Sequence, residues 1–305
     1  MNPEEQAYLD LMSEVIHKGY DKPSRTGKLV RSLTGRTLRF ILHRTDDDTE
    51  VNVLPLLTTK HVVFRLVASE LLWFISGGTT TDTLHVHNNH IWDANASREF
   101  LDSRGLTHYK EGELGPIYGW QWRHWNGMYP GAGDGSQGID QLSNLVTSIK
   151  NNPWSRRHIL TAWNPEQLDA MALPPCHIMV QFVVRPSDPR MSDSHQPYWL
   201  DAIVYQRSAD LPLGVPFNIT SYALLTHMMA HVCGLHAGEL VYNTGDVHIY
   251  HDQLPYCETQ LSRSPYKWPV IEFENAPMSL DEFKLEHFSI YNYERHGPIP
   301  YPFSV

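Results

Sequence analysis

Apolar residues recur at helical spacing in three long stretches of this chain. Tyr8, Leu9, Leu11, Met12, Val15 and Ile16 form a stripe along residues 4–19. Val62 to Ile75 is nearly continuous and closes on Gly77-Gly78, and Thr220 to Cys233 closes on Gly234. A glycine after a periodic run supplies the left-handed residue that ends a helix. Ile139 to Ile149 predicts a fourth helix. Strands are predicted at Thr37 to Leu42, His158 to Trp163, Ile178 to Val184, Leu200 to Tyr205 and Tyr266 to Phe273, with extended chain around Pro55. Gly19 to Gly27 reads as a turn, Asp46-Asp47-Asp48 as a solvated loop tip, and Pro186 to Pro197 as a polar insertion between two strands. Gly131 to Gly138 is glycine-rich but lacks phosphate-loop spacing. No repeat and no linker divides the chain. The irregular alternation of elements predicts an α+β fold, a mixed sheet with packed helices, in one domain over residues 1–305.

Composition narrows the function classes. The formal net charge of −10 argues against general nucleic-acid binding, so an anionic ligand would need a local arginine cluster. Three irregularly spaced cysteines argue against a disulfide framework and against a zinc site. No apolar leader and no membrane-length run occurs, which predicts a reducing cytoplasmic setting, with nucleus or mitochondrion left open. Nine Trp and fifteen Tyr suit aromatic-walled pockets or large interfaces.

Candidate chemistry centres on Leu173-Pro174-Pro175-Cys176-His177. Two prolines hold the backbone extended and place a thiol at the mouth of a strand, a position that suits a nucleophile as well as a small buried hydrophobe. Glu70 lies inside an apolar helix, either on a solvated stripe or buried with a raised pKa. Arg207 and Ser208 could clamp a phosphate, and a guanidinium near the thiol would favour thiolate; an ion pair of Arg207 with Asp210 is the alternative. Arg156 and Arg157, adjacent on extended chain, point to opposite sides and suit separate contacts or plain surface charge. Asn218 is either a helix N-cap or an amide that reads an imide-like base edge. Alternation puts His248 and Tyr250 on one strand face, where both could bond a sugar hydroxyl.

Together these segments resemble the folate-dependent thymidylate synthases over nearly the whole chain. The resemblance is carried by Pro55-Leu56-Leu57-Thr58-Thr59-Lys60, Glu70-Leu71-Leu72-Trp73-Phe74-Ile75, Ile91-Trp92-Asp93-Ala94-Asn95, Leu114-Gly115-Pro116-Ile117-Tyr118-Gly119 and the Cys176, Arg207, Asn218 and His248 motifs. The insertion before Tyr198 and the Ser304-Val305 ending resemble the eukaryotic branch. The resemblance implies reductive methylation of dUMP at C5, with 5,10-methylenetetrahydrofolate as one-carbon and hydride donor, no metal, and dTMP and dihydrofolate as products. Cys176 would add to C6 of the uracil and so make C5 nucleophilic. Arg25, Arg207 and Ser208 would hold the phosphate, with Arg156 and Arg157 reaching in from the partner of a homodimer built on a sheet face. Asn218 would read the uracil edge, and Gln206 and Asp210 would join the nucleotide site. Glu70 would organise proton transfers, His177 would support the water network, and Tyr118 would act at the C5 proton. His248 and Tyr250 would take the ribose 3′-hydroxyl. Ile91, Trp92, Asn95, Asp210, Leu213, Gly214 and Phe217 would line the folate site, and the Val305 carboxylate would close over it.

The chain departs from that family at three places, one of them Leu200-Asp201-Ala202 where Leu-Ser-Cys is usual. Asp-Arg-Thr-Gly-Thr-Gly-Thr is replaced by Ser24-Arg25-Thr26-Gly27-Lys28-Leu29-Val30, and the tail is Tyr301-Pro302-Phe303-Ser304-Val305 rather than a methionine-rich ending. Three rival readings follow. A pyrimidine nucleotide hydroxymethylase would share the thiol addition but trap the exocyclic methylene with water. A Cys-His acyl-transfer hydrolase would need His177 to reach Cys176, although adjacent strand residues face apart. A non-catalytic paralogue would bind nucleotide or RNA only.

Overall fold

The computed structural model describes residues 2–46, 49–130, 137–187, 196 and 198–303. Asp47-Asp48, most of the glycine-rich loop, most of the Pro186 to Pro197 insertion, and Ser304-Val305 lie outside the described residues.

The chain opens with α1 (Pro3–Lys18), whose Asn2 cap accepts from the Glu5 N–H at 3.2 Å and whose first position is a proline. Strands β1 (Tyr20–Pro23), β2 (Leu29–Ile41), β3 (His43–Asp46) and β4 (Thr49–Asn52) follow. Then come α2 (Phe64–Ile75) and four short helices, α3 (Asp82–His85), α4 (Asp93–Ala96), α5 (Arg98–Ser103) and α6 (Tyr118–Arg123). Helix α7 (Gln141–Asn151) leads into β5 (Ile159–Thr161), β6 (His177–Arg185) and β7 (Trp199–Asp210). The long helix α8 (Gly214–Cys233), β8 (His236–Tyr250), α9 (Leu254–Leu261), β9 (Val270–Phe273) and β10 (Phe288–Tyr291) complete the fold.

Six strands form one mixed sheet in the order β1-β2-β8-β7-β6-β5. Among the described strands only β7 and β8 run parallel, and α8 is the crossover that parallel neighbours require. Val180, Phe182, Ala202, Val204, Leu240 and Tyr242 are buried on one face, toward α8. The opposite face carries Ile159, Met179, Gln181, Ile203, Tyr205 and Val241, aligned across the strands. Ile159 and Tyr205 are 44% and 42% exposed, so the described residues leave this face partly uncovered.

Several boundaries differ from expectation. The region read as a turn after Gly19 holds β1, an edge strand that tolerates Pro23 because it pairs on one side only. Helix α8 starts at Gly214, six residues before Thr220, since Pro216 sits in its first turn where no N–H partner is lost. Asn218 is therefore inside the helix and is not its N-cap. Gly234 ends that helix at φ 70°, as read from the sequence. The late strand is confined to Val270–Phe273. Among the described residues, no helix is long and apolar enough to cross a membrane.

Candidate active site

The C-terminal ends of β7 and β8 open on a cleft of about 780 Å³. Its lining gathers segments far apart in sequence: Arg25 after β1, Glu70 on α2, Ile91, Trp92 and Asn95 around α4, and Tyr118 opening α6. Cys176 and His177 enter β6, while Gln206, Arg207, Ser208 and Asp210 end β7. Leu213, Gly214, Phe217 and Asn218 begin α8, and His248 and Tyr250 end β8. Every site residue expected from the sequence and described in the structure lines this cleft except Arg156 and Arg157. Those two are exposed elsewhere, between α7 and β5. Val305 lies outside the described residues.

The backbone that carries the thiol is held at several points. The Cys176 N–H donates to Tyr118 Oη at 2.7 Å, and its carbonyl accepts from the Arg207 N–H at 2.8 Å. The Arg207 guanidinium donates to the carbonyls of Pro175 at 2.8 Å and Pro174 at 3.1 Å, and stacks over Trp163 at 5.2 Å. It thus clamps the proline turn instead of pairing with Asp210. Burial pushes the Cys176 thiol above its ordinary pKa, while Arg207 and Arg25 pull it down. The expectation that Arg207 favours thiolate holds as a direction, but burial outweighs it in the free chain.

Glu70 is 7% exposed, which settles its place against a solvated stripe. Its Oε1 accepts from Trp92 Nε1 at 2.8 Å, and burial raises its pKa to about 7 despite that bond. A carboxyl in this range exchanges its proton near neutrality. His177 stacks on Tyr118 with centroids 4.2 Å apart, and its Nδ1 bonds Tyr222 Oη at 2.8 Å. Burial lowers its pKa to about 3, so it stays neutral. No hydrogen bond joins His177 to Cys176 among the described residues, and an imidazole whose pKa burial lowers to about 3 is a weak base, so the Cys-His hydrolase reading is not favoured.

Where β7 ends and α8 begins, Asn218 and Ser208 make no side-chain hydrogen bond among the described residues, which leaves both free for a ligand. Gln206 is fixed by the Tyr242 hydroxyl, which donates to its Oε1, and by its own bond to the Ser208 carbonyl at 2.9 Å. His248 Nδ1 bonds Asp246 at 3.1 Å, and Asp246 also accepts from Ser32 Oγ at 3.1 Å and from Lys22. Against the cost of burial, His248 and Lys22 hold Asp246 well below the usual carboxylate range. Asp210 accepts weakly from the Leu213 N–H at 3.3 Å, and burial raises its pKa. The Arg25 guanidinium lies over Phe100 at 5.6 Å.

Sequence reading passed over Lys22, Phe100, Arg104, Asp246 and Phe303, all of which line the cleft. Asp246 had a signal, because it shares its strand face with His248 two residues on. The others are single side chains on a short edge strand (Lys22), a short helix and its cap (Phe100, Arg104) and the tail (Phe303), without periodicity to mark them.

Comparison with known proteins fits this arrangement. The family model described as thymidylate synthase matches residues 6–305. The chain is 47% identical over its whole length to a probable thymidylate synthase of Schizosaccharomyces pombe and spans 48% of that protein. It is 43% identical to the thymidylate synthase of Candida albicans, again over its whole length and over 98% of the relative. Against the bifunctional dihydrofolate reductase-thymidylate synthase of Leishmania major, identity is 44% over all of this chain and 56% of the relative. The chain thus spans about half of the longer relatives and nearly all of the single-function one. A match that runs through every wall of the cleft makes this chain a member of the thymidylate synthase family.

Proposed function

We propose that the chain converts dUMP to dTMP by reductive methylation. The observation that carries this reading is one cleft joining a clamped thiol, a buried carboxyl of pKa about 7 and an uncommitted amide. The phosphate would lie on Arg207, Ser208 and Arg25, with the ribose against His248 and Tyr250. Phosphate contacts are charge-assisted and anchor the nucleotide. Asn218 offers a donor and an acceptor, which match O4 and N3–H of uracil and mismatch the corresponding pair of cytosine. Cys176 thiolate then adds to C6, and the electron pair moves through C5 to O4 as an enolate. Methylenetetrahydrofolate supplies the one-carbon unit and the hydride. Glu70 would carry protons at O4 and toward the folate through ordered water, while Tyr118 stands where the C5 proton leaves. Ile91, Trp92, Asn95, Asp210, Leu213, Gly214 and Phe217 form the folate wall, and the tail beyond Phe303 would close it.

The test supplies dUMP tritiated at C5 together with methylenetetrahydrofolate. Equal rates of tritium release and dihydrofolate formation are expected. Tritium release without dihydrofolate would point to water capture, the hydroxymethylase reaction. Neither signal, with tight dUMP binding, would identify a silent paralogue.

The enzyme is further proposed to be a homodimer through the uncovered sheet face. Arg156 and Arg157 lie at the edge of that face, next to β5, and would complete the partner's phosphate site. Mixing a Cys176→Ala chain with an Arg156→Ala/Arg157→Ala chain tests this. Each variant alone is expected to be impaired, the arginine pair by roughly 10-fold or more in nucleotide KM. Mixed dimers are expected to regain activity, since one of their two sites holds an intact thiol and intact arginines. No recovery on mixing, with both chains shown to exchange, would overturn the shared site.

A further inference from the structure

We propose that His85, His90 and Asp93 form a binding site for a divalent first-row transition metal ion, zinc being the ion of choice, on the rim of the cleft. The cysteine count steers attention away from metals, but these three residues bring two imidazoles and a carboxylate together, with one ligand atom from each within 4.8 Å of the others. His85 Nε2 lies 2.7 Å from Asp93 Oδ1, and His90 Nδ1 lies 2.8 Å from Asp93 Oδ2. The two rings stack with centroids 4.6 Å apart. Imidazole nitrogen and carboxylate oxygen are the donors that zinc takes at about 2.0–2.2 Å, and a three-residue site leaves a position for water.

Two features show that this is a shaped cluster. His90 uses Nδ1 toward Asp93 while its other nitrogen, Nε2, bonds Asn88 Oδ1 at 3.2 Å. A ligating histidine is oriented in this way, its second ring nitrogen donating to an oxygen of the outer shell. Asn88 itself sits at φ 48°, the left-handed turn that folds His90 back toward His85. The turn is then fastened from below. Buried Asn89 donates to the Leu66 carbonyl at 3.0 Å and to Ser69 Oγ at 2.9 Å, both on α2. All three ligating side chains keep solvent access, so an ion has a path in.

The position gives the site a consequence for the cleft. Ile91 and Trp92 lie between His90 and Asp93, and Trp92 donates to Glu70. A bound ion would tie the two ends of that segment together, and with it the indole that holds the buried carboxyl.

The experiment uses the full chain freed of metal by a chelator, titrated with zinc chloride and studied at the zinc edge by X-ray absorption. One zinc per chain is expected, with only nitrogen and oxygen neighbours near about 2.0–2.1 Å. His85→Ala/His90→Ala is expected to lose this binding. Asn88→Gly, which keeps the left-handed backbone and removes only the amide, is expected to weaken it roughly 10–100-fold. Absence of zinc binding by the wild-type chain, a sulfur neighbour at about 2.3 Å, or binding undiminished in both variants would each overturn the site.

Discussion

Cys176→Ala is expected to lose turnover by roughly 10⁵-fold or more, the scale of removing the nucleophile from a covalent mechanism. Nothing else in the cleft can replace it. His177 is held neutral and committed to Tyr222, and burial drives the Tyr118 phenol well above its ordinary pKa. The same variant is expected to bind dUMP within a few-fold of wild type, because the thiol side chain is not part of the phosphate clamp. Arg207 is positioned through the carbonyls of Pro174 and Pro175 and through its own N–H to the Cys176 carbonyl, and alanine keeps all three. Equilibrium binding of dUMP, together with tritium release under single-turnover conditions, separates the two effects. A variant that still released tritium at a tenth of the wild-type rate would end the covalent proposal, whereas one that lost dUMP binding would make Cys176 a structural residue.

The parts of this site that hydrophobic periodicity alone could place are those on regular elements. The helix around Glu70 and the strand after Cys176 announce themselves by long apolar runs, and their partners follow from the fold. The short helices α3 to α6 do not, because one or two turns carry no measurable period and are held by caps and packing such as Ser97 accepting from the Phe100 N–H at 3.2 Å. Strand β8 was legible only over Gly245 to Tyr250. Its first half alternates in burial from Gly238 to Thr244, but Leu240-Val241-Tyr242 is a run of three apolar residues, so that alternation does not show in the sequence. The partner of Arg207 was likewise hidden. Sequence proximity suggested Asp210, but the guanidinium turns back to the proline carbonyls thirty-two and thirty-three residues away in the chain. The sign of the Cys176 shift depends on that same tertiary detail, since burial and two arginines act against each other on one sulfur.

Glu70→Gln is expected to separate catalysis from stability, moving them in opposite directions. In activity, kcat should fall roughly 10²–10⁴-fold, the range for losing a positioned acid-base group, with little change in dUMP binding. The wild-type rate should change across the neutral range, where a carboxyl of pKa about 7 exchanges its proton, and the variant should lose that inflection. In stability the sign is reversed. The folded pKa of Glu70 is raised from 4.5 to about 7, so the folded chain holds a proton that the unfolded chain releases. Its favourable contribution is complete below pH 4.5, falls as pH rises, and is gone above about pH 7, a loss of up to about 3 kcal/mol. Glutamine removes the buried charge, and its oxygen can still accept from Trp92. Thermal unfolding should therefore show the variant level with wild type at pH 4.5 and more stable at pH 8. Equal stability at both pH values would mean that the carboxylate is solvated in the folded chain. It would then lack the raised pKa on which its proposed proton-transfer role rests.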